Sequence, residues 1–451
     1  MEPTLEHTVS FLSLIYIGAI PVSVKPSFGD KDEYIEYLIK LGEQNNIKYF
    51  HIDINPDSIK FESFKSNLDA KGCNYERTNS SDYNNDIAFI QFSSGSTSEP
   101  KAIPIKHKNI HHNINMITKV DNRSRNTIGL NFLPLSHDMG LIGGLLSNII
   151  YQNTFYLTSI DLFLRKISFY LNLCYEEKIS ITGMPNFVYE YLTKRLSSVK
   201  NVNPKLLSGI KTIYSGAEPI RITTIKNFLN IAKKFGLSQE SLVFSYGLAE
   251  TTLIVSSHRF INYNKSFMIN MAGEHVACVG KPVENTEVLI DKEDSKVGKI
   301  LVAGDSVVDD VDTVLFNGKK YLYTGDLGYI YNHDLYVSGR EKDMVIINGN
   351  NIFLVDVENY IYRKVGQEIE GLIVVVIPCQ EAFGICLSSR KNIAKDILNN
   401  VEKIIIQGFN IKAKYVLYVL PKNIPRTTSG KVQKMILEKN IRDKYEQYSY
   451  C

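Results

Sequence analysis

The sequence is short of several things that would have fixed its class at once. It has no CxxC pair among its six cysteines, and Cys379 and Cys386 are the closest two. That argues against a zinc ribbon or a dithiol redox site and for reduced, mostly buried thiols of a cytoplasmic protein. It has no block of one charge. Its 51 Lys+Arg and 48 Asp+Glu are interspersed, for a net charge of +3, so nucleic acid is not expected as a partner. It has no run long enough to span a bilayer. The apolar stretch Val9–Val24 is short, and Glu2 and Glu6 precede it where a secretory signal would carry Lys or Arg. A core helix running into a strand is the expectation there, without stable membrane insertion. Internal repeats, low-complexity tracts and the GxxxxGK[ST] phosphate loop are also missing.

What is present is ordinary globular composition, 44% hydrophobic and 22% charged over 451 residues, enough for two or three domains. From Ile87 onward, short apolar runs alternate with amphipathic segments. Strands are expected at Ile87–Phe92, Thr127–Leu133, Thr154–Leu157, Ile179–Gly183, Ile210–Tyr214 and Leu242–Phe244. Helices are expected between them at Asn109–Val120, Leu141–Ile150, Phe163–Glu177, Asn186–Ser197 and Thr223–Phe235. Earlier, Tyr34–Leu41 has helical spacing and Ile47–Ile54 alternates like a strand. Such alternation argues a parallel α/β sheet, whose ligands bind at the carboxyl ends of strands. After Glu250 the strands become short, as at Glu287–Ile290, Lys299–Val302 and Lys320–Tyr323, which suggests a small β subdomain. The final part, 341–451, mixes strands Leu372–Ile377 and Tyr415–Val419 with helices Asp356–Val365 and Ile393–Ile406. It reads as a compact α+β domain joined at Arg340–Lys342.

The most informative stretch is Gln91–Ile105, QFSSGSTSEPKAIPI. An expected strand breaks into Ser93, Ser94, Gly95, Ser96, Thr97 and Ser98, and Lys101 follows. Closely spaced amides and hydroxyls with no bulky side chain suit a phosphate chain, and Lys101 adds a positive charge. A solvated Ser-rich turn is the alternative for the loop taken alone. Gly216-Ala217-Glu218 and Tyr246-Gly247 also follow expected strands, which places three motifs on one rim.

Five signals occur in one order: the Ser-rich loop, Tyr246-Gly247-Leu248-Ala249-Glu250, Tyr323-Thr324-Gly325-Asp326, Gly339-Arg340-Glu341-Lys342-Asp343 and Pro425–Lys431. Together they resemble the adenylate-forming superfamily, from about Ile17 to Leu437. Leu133–Leu141, Met184–Tyr189 and Gly216–Arg221 look most like fatty acyl-AMP ligases. The resemblance implies a fold of α/β class. A large N-terminal domain, 1–340, holds parallel α/β sheets plus a small β subdomain at about 254–340, and 341–451 forms a small mobile C-terminal domain. Its first part, 1–86, is expected to be shortened.

The implied activity is ATP- and Mg2+-dependent conversion of a fatty acid to acyl-AMP, then transfer to a phosphopantetheine thiol of an acyl carrier protein or to CoA. A carboxylate must approach a polyanion, and two unit charges 4 Å apart interact by about 4 kcal/mol at an effective dielectric of 20. Fixed cations and a metal are therefore needed. The resemblance assigns the metal to Glu250 and the catalytic cation to Lys431, with Thr97 in the phosphate loop. Nucleotide contacts fall to Ser93, Ser94, Gly95, Ser96, Thr97, Lys101, Gly216, Ala217, Glu218, Tyr246, Gly247, Asp326 and Arg340. Tyr246 would stack on the base, and Asp326, at a strand end, would accept the ribose hydroxyls. His137, Gly183, Asn186 and Phe187 would line the acyl site, and Lys342 would be the hinge. His111 and His112 have no ligand partners at suitable spacing, so no metal is expected there. The segment between Glu250 and Gly280 is short, Ala102 stands where a glycine is common and Asn350 where an arginine is common, which leaves carrier protein and CoA both open as acceptors. A non-catalytic nucleotide-binding relative is the alternative of another class.

Overall fold

The structure is a computed structural model. It describes residues 3–24, 38, 40–44, 86–93, 101–198, 203–270, 273–292, 297–309, 311–347, 350–366, 368–369, 371–379, 382–426 and 432–443. Helix Leu5–Tyr16 is capped by Thr4, whose hydroxyl accepts a hydrogen bond from the His7 amide. It is less of a core helix than expected. Phe11 is buried 5.5 Å from the Phe89 ring, whereas Leu5, Val9 and Tyr16 are exposed. Leu38, Lys40 and Leu41 are helical as expected, and Ile47–Ile54 lies outside the described residues.

Strand β1 (Val22–Ser23) pairs parallel with β2 (Ile87–Ser93), and β2 pairs antiparallel with β3 (Lys101–Lys106). This three-stranded sheet is separate from the large one. The sequence reading put Ile87–Phe92 into the parallel sheet, with a helix next. Instead a strand intervenes, because Lys101–Lys106 alternates outward and inward with Ile103 and Ile105 fully buried. Pro104 is tolerated because β3 is an edge strand.

Strands β4 (Ile128–Asn131), β5 (Thr154–Leu157), β6 (Ile181–Gly183), β7 (Thr212–Ser215) and β8 (Leu242–Gly247) form the parallel sheet, in the order β8-β7-β6-β4-β5. Helices Asn186–Ser198 and Ile222–Ala232 cover one face through Val188, Tyr189, Ile225 and Phe228. Helix His107–Asp121 packs elsewhere on the same body through Ile114, Met116 and Ile117. The helix expected at Leu141–Ile150 is a π-helix, Met139–Leu146, running into Ser147–Ile150. Its glycines permit close packing, since a Cβ on Gly144 would lie 2.3 Å from Asn131 Cγ. The helix expected at Phe163–Glu177 is two, Ile160–Arg165 and Ile167–Glu176, parted where Lys166 leaves helical geometry at φ −110°.

The strands beyond Glu250 continue the same sheet rather than forming a detached one. Here β9 (Ile254–Arg259) pairs antiparallel with β8, and β11 (His275–Pro282) pairs with β9. Strand β10 (Phe267–Ile269) flanks β11. Outward from β11 come β16 (Asp334–Arg340), β15 (Lys319–Tyr331), β13 (Gly298–Gly304) and β12 (Thr286–Asp291), and β14 (Thr313–Phe316) pairs with β15. Strand β11 changes partner from β16 to β9 at Gly280. That position has φ +78°, and a Cβ there would lie 1.9 Å from Ser257 O, so only glycine fits.

A short turn of 3-10 helix, Glu341–Asp343, leads into hairpin β17 (Met344–Ile347) and β18 (Asn350–Phe353). Helix Leu354–Val365, β19 (Ile373–Cys379), β20 (Ala382–Ser388), helix Lys395–Phe409, β21 (Tyr415–Tyr418) and helix Lys434–Asp443 complete the chain. Its own core includes Val357, Ile361, Phe383, Ile385 and Val401. Helix Leu354–Val365 docks on the large body. Arg221 Nε donates to Asn359 at 3.1 Å, Asn270 Nδ2 donates to Asp356 at 2.9 Å, and Arg363 pairs with Glu274 at 2.6 Å. Among the described residues no helix is long and apolar enough to cross a membrane. Three of the four described cysteines are buried.

Candidate active site

The parallel strands end together because each apolar run is cut off by a polar or small residue: Asn131, Gly183, Ser215 and Gly247. Above those ends lies a cavity of about 780 Å³, its open mouth included. Gly216, Ala217, Tyr246 and Gly247 all line it. Gly216 lets β7 and β8 approach, as a Cβ there would lie 2.7 Å from Ser245 O. Ala217 follows at φ +65°, a left-handed conformation rare for alanine and a mark of strain at a ligand loop. Glu218 accepts a hydrogen bond from the Asn186 backbone amide, which ties this loop to the start of helix Asn186–Ser198. The Arg426 guanidinium, from the last domain, feels the charge of Glu218.

Tyr246 is buried beside Val255 and Val279, and its hydroxyl donates to Asp326 Oδ2 at 2.8 Å. Burial first, then the Asp326 charge, pushes the Tyr246 phenol well above its ordinary value, so it stays protonated. Asp326 faces Arg340 across β15 and β16, with Oδ1 3.4 Å from Nε. It sits inside β15 beside a register shift, not at a strand end as expected, because Lys319–Tyr331 carries the ladder through Gly325 and Gly328.

Glu250 lies in the 3-10 turn Ala249–Thr251 just after β8. Burial holds its carboxyl above the ordinary range. The charges of Lys101 and Arg340 pull it down, and that of Asp138 pushes it up. These four side chains, from separate parts of the chain, thus share one electrostatic neighbourhood. Lys101 Nζ also lies 3.6 Å from Asp312. Among the described residues no cluster of three or more His, Cys, Asp or Glu could hold a metal by protein ligands alone. A half-buried single carboxylate such as Glu250 fits magnesium, which retains phosphate and water ligands.

Ser93 ends β2, backbone-paired with Lys101. Ser94, Gly95, Ser96, Thr97 and Lys431 lie outside the described residues. Lys342 is exposed in the 3-10 turn between the two bodies. Of the acyl-site expectations, Gly183 lines the cavity, with Met139 Cε 2.8 Å from where its Cβ would be. The cavity wall near His137 is instead made by Asp138 and Met139. Asn186 is buried at the head of its helix with Nδ2 3.5 Å from Thr224 Oγ1, and Phe187 packs into the main core. His111 and His112 lie together on helix His107–Asp121, and the His112 ring is 3.8 Å from Asp305. Asp138, Asn131, Asn148 and Tyr214 also line the cavity, and sequence reading missed them. The signal was there for Asn131, a polar residue closing an apolar strand.

The fold is an α/β one with a cleft at the carboxyl ends of its parallel strands. The family model described as AMP-binding enzyme matches residues 1–309, and the chain belongs to that family. It is 26% identical over 406 residues to the medium-chain-fatty-acid–[acyl-carrier-protein] ligase JamA of Moorena producens, covering 78% of this chain and 67% of that one. It is 26% identical over 416 residues to the ligase of the same description, TtuA, from Teredinibacter turnerae, with 79% of this chain covered. The chain spans 63% of that relative's length. A solved structure of fatty acyl-adenylate ligases from E. coli and L. pneumophila superimposes with a TM-score of 0.79 at 24% identity, covering 99% of this chain and 88% of that one. That likeness establishes the shared fold.

Proposed function

We propose that this chain activates a fatty acid with ATP and passes the acyl group to the phosphopantetheine thiol of an acyl carrier protein. The observation that carries the reading is the Gly216–Ala217 loop and Tyr246 on the wall of one cavity, with Tyr246 hydrogen-bonded to Asp326 and Asp326 facing Arg340, in a chain of the AMP-binding family. The acid class and the carrier come from what the two ligases above are described as acting on.

In the first half-reaction a carboxylate oxygen attacks the α-phosphorus, the bond to the bridging β-oxygen breaks, and pyrophosphate leaves. Glu250 would hold magnesium, which when bound would neutralise charge on the phosphates. Gly216 and Ala217 admit the base to the backbone, and Tyr246 presents a flat wall beside it. Asp326, braced by Tyr246 and Arg340, accepts the ribose hydroxyls. Ser93 to Thr97 and Lys101 cradle the phosphates, and Lys431 balances charge between the carboxylate and the α-phosphate. In the second half-reaction the thiol adds to the acyl carbonyl and AMP departs. The chain divides at Arg340–Lys342, and Lys342 is the hinge on which 341–451 turns between the two steps. The protein works in the cytosol.

The test is exchange of pyrophosphate into ATP across a series of fatty acids. Exchange with at least one acid is expected, and none with any acid overturns the reading. Offering CoA or holo carrier protein then decides the acceptor, and rapid acyl-CoA formation overturns the carrier assignment.

A further inference from the structure

Helix Leu354–Val365 meets the large body along one stripe, formed by Asp356, Asn359, Tyr362 and Arg363. Asp356 and Arg363 bond Asn270 and Glu274, and neither of those two partners lines the cavity. Asn359 and Tyr362 both meet Arg221. Its Nε donates to Asn359 Oδ1 at 3.1 Å, and its guanidinium carbon lies 5.3 Å from the centre of the Tyr362 ring. A planar cation over a ring, with one N–H aimed at an acceptor beside it, is a seat that suits arginine better than lysine.

Arg221 is itself fixed from behind. The loop that leads to it begins with Gly216 and Ala217 on the cavity wall, and Ala217 is held at φ +65°. Glu218 of the same loop accepts from the Asn186 amide. The Arg221 carbonyl accepts from the Ile225 amide at 3.1 Å, at the head of helix Ile222–Ala232. The path from the cavity wall to the guanidinium is therefore short and anchored at both ends.

The helix that Arg221 holds in turn holds the end of the chain. Glu358, next to Asn359, pairs with Lys434 at 2.9 Å and accepts from the Val376 amide at 2.9 Å. Lys434 opens helix Lys434–Asp443, and just before it Val432 bridges to Arg426. A shift of helix Leu354–Val365 over the large body would carry Lys434 and this bridge with it. In the docked arrangement Arg426 feels the charge of Glu218, so the bridge lies towards the cavity loop.

We propose that Arg221 is a positioning residue that clamps helix Leu354–Val365 through Asn359 and Tyr362, holding the last domain in the arrangement that forms the adenylate, and that this clamp opens before the thiol step. The inference rests on the two-step reading above and adds to it the contact that sets the balance between the steps. An equilibrium between docked and released arrangements moves only by the difference in contact energy between them. Weakening the clamp therefore favours the second step at the expense of the first, and strengthening it does the reverse. A general folding defect lowers both.

Pyrophosphate exchange reads the first step, and single-turnover loading of holo carrier protein or CoA from supplied acyl adenylate reads the second. Arg221→Gln is expected to lower kcat for exchange by about tenfold, as for one lost hydrogen bond to a charged group. The KM for ATP should change little, and the second step should run as fast as in the wild type or faster. Arg221→Lys keeps the charge without the planar fork and is expected to fall between. Asn359→Asp turns the contact into an ion pair, and is expected to keep exchange while slowing the second step. Unchanged exchange in Arg221→Gln, or equal loss in both steps, overturns the proposal and leaves the ligase reading intact. Where Arg221→Gln does not fold, Asn359→Asp decides, and a second step no slower than in the wild type overturns the clamp. A wild type that exchanges with no acid overturns both.

Discussion

Tyr246 donates its phenolic proton to Asp326 at 2.8 Å, joining two residues 80 positions apart in the chain. The bond ties the end of β8 to the middle of β15, and Arg340 completes it from β16. One buried carboxylate is thereby held with Oδ2 on the Tyr246 hydroxyl and Oδ1 beside the Arg340 guanidinium. A carboxylate so braced is ready to accept further donors without reorganising.

Removing the phenol tests whether that brace matters. Tyr246→Phe keeps the ring and its packing but leaves Asp326 short of a donor. The expected loss of stability is about 1–3 kcal/mol, the range for a buried hydrogen bond to a charged group. Combined with Asp326→Asn, a double-mutant cycle on urea unfolding should give a coupling of about 1 kcal/mol or more. The KM for ATP should rise in each single variant. Additive effects, with an unchanged KM, would show that Tyr246 is core packing and nothing else.

Glu250 gives a prediction with a sign. Its folded carboxyl is raised by burial, so the charged form that a metal needs is disfavoured until a cation arrives. Activity should therefore fall on the acid side at a midpoint above the ordinary 4.5 of a glutamate. Raising magnesium should move that midpoint down. Glu250→Gln should lower the exchange rate by about 100-fold, in the range seen for losing a fixed electrostatic contact to the transition state. An acid limb indifferent to magnesium in the wild type would remove Glu250 from the metal.

Much of this was legible beforehand, for a physical reason. The parallel strands are apolar runs bounded by turn residues, and such runs have few other uses. Gly216-Ala217 and Tyr246-Gly247 follow neighbouring parallel runs and share a rim, whereas the run before the Ser-rich loop is β2, in the separate sheet. Lys101–Lys106 was not legible as a strand, because a proline and two lysines hid an alternation that only the inward Ile103 and Ile105 reveal. The interior placement of Asp326 was hidden by Gly325 and Gly328, which read as strand ends yet sit within one ladder. The Tyr246–Asp326 bond and the Asn131–Asn148–Tyr214 wall join distant segments, and no local pattern encodes such pairings.

Lys431 is the residue by which the proposed two half-reactions can be told apart. If it acts only while adenylate forms, Lys431→Ala should slow pyrophosphate exchange by about 100-fold or more, again on the scale of one lost electrostatic contact. The same variant, supplied with ready-made acyl adenylate, should load a carrier protein at close to the wild-type rate. Stopped or quenched single-turnover assays of each step provide the comparison. Equal loss in both steps would mean that the final domain does not exchange roles between them.

Asp356 predicts that docking of the final domain depends on pH. Its carboxyl is buried at the contact with the large body, receives a hydrogen bond from Asn270, and is raised by burial first, with the Glu274 charge adding, to about 7. A carboxyl raised on folding favours the docked state fully below its unfolded value, and that contribution is lost as pH rises through about 7. Between pH 6 and pH 8 the wild type should lose about 1 kcal/mol of stability from this group. Asp356→Asn keeps the shape and a neutral partner for Asn270, so its stability should vary less over that interval and exceed the wild type at pH 8. The same loosening should appear as faster protease cleavage near Glu341–Asp343 at pH 8 in the wild type alone. If wild type and variant melt in parallel across this range, the aspartate is ionised throughout and the domain contact does not respond to pH.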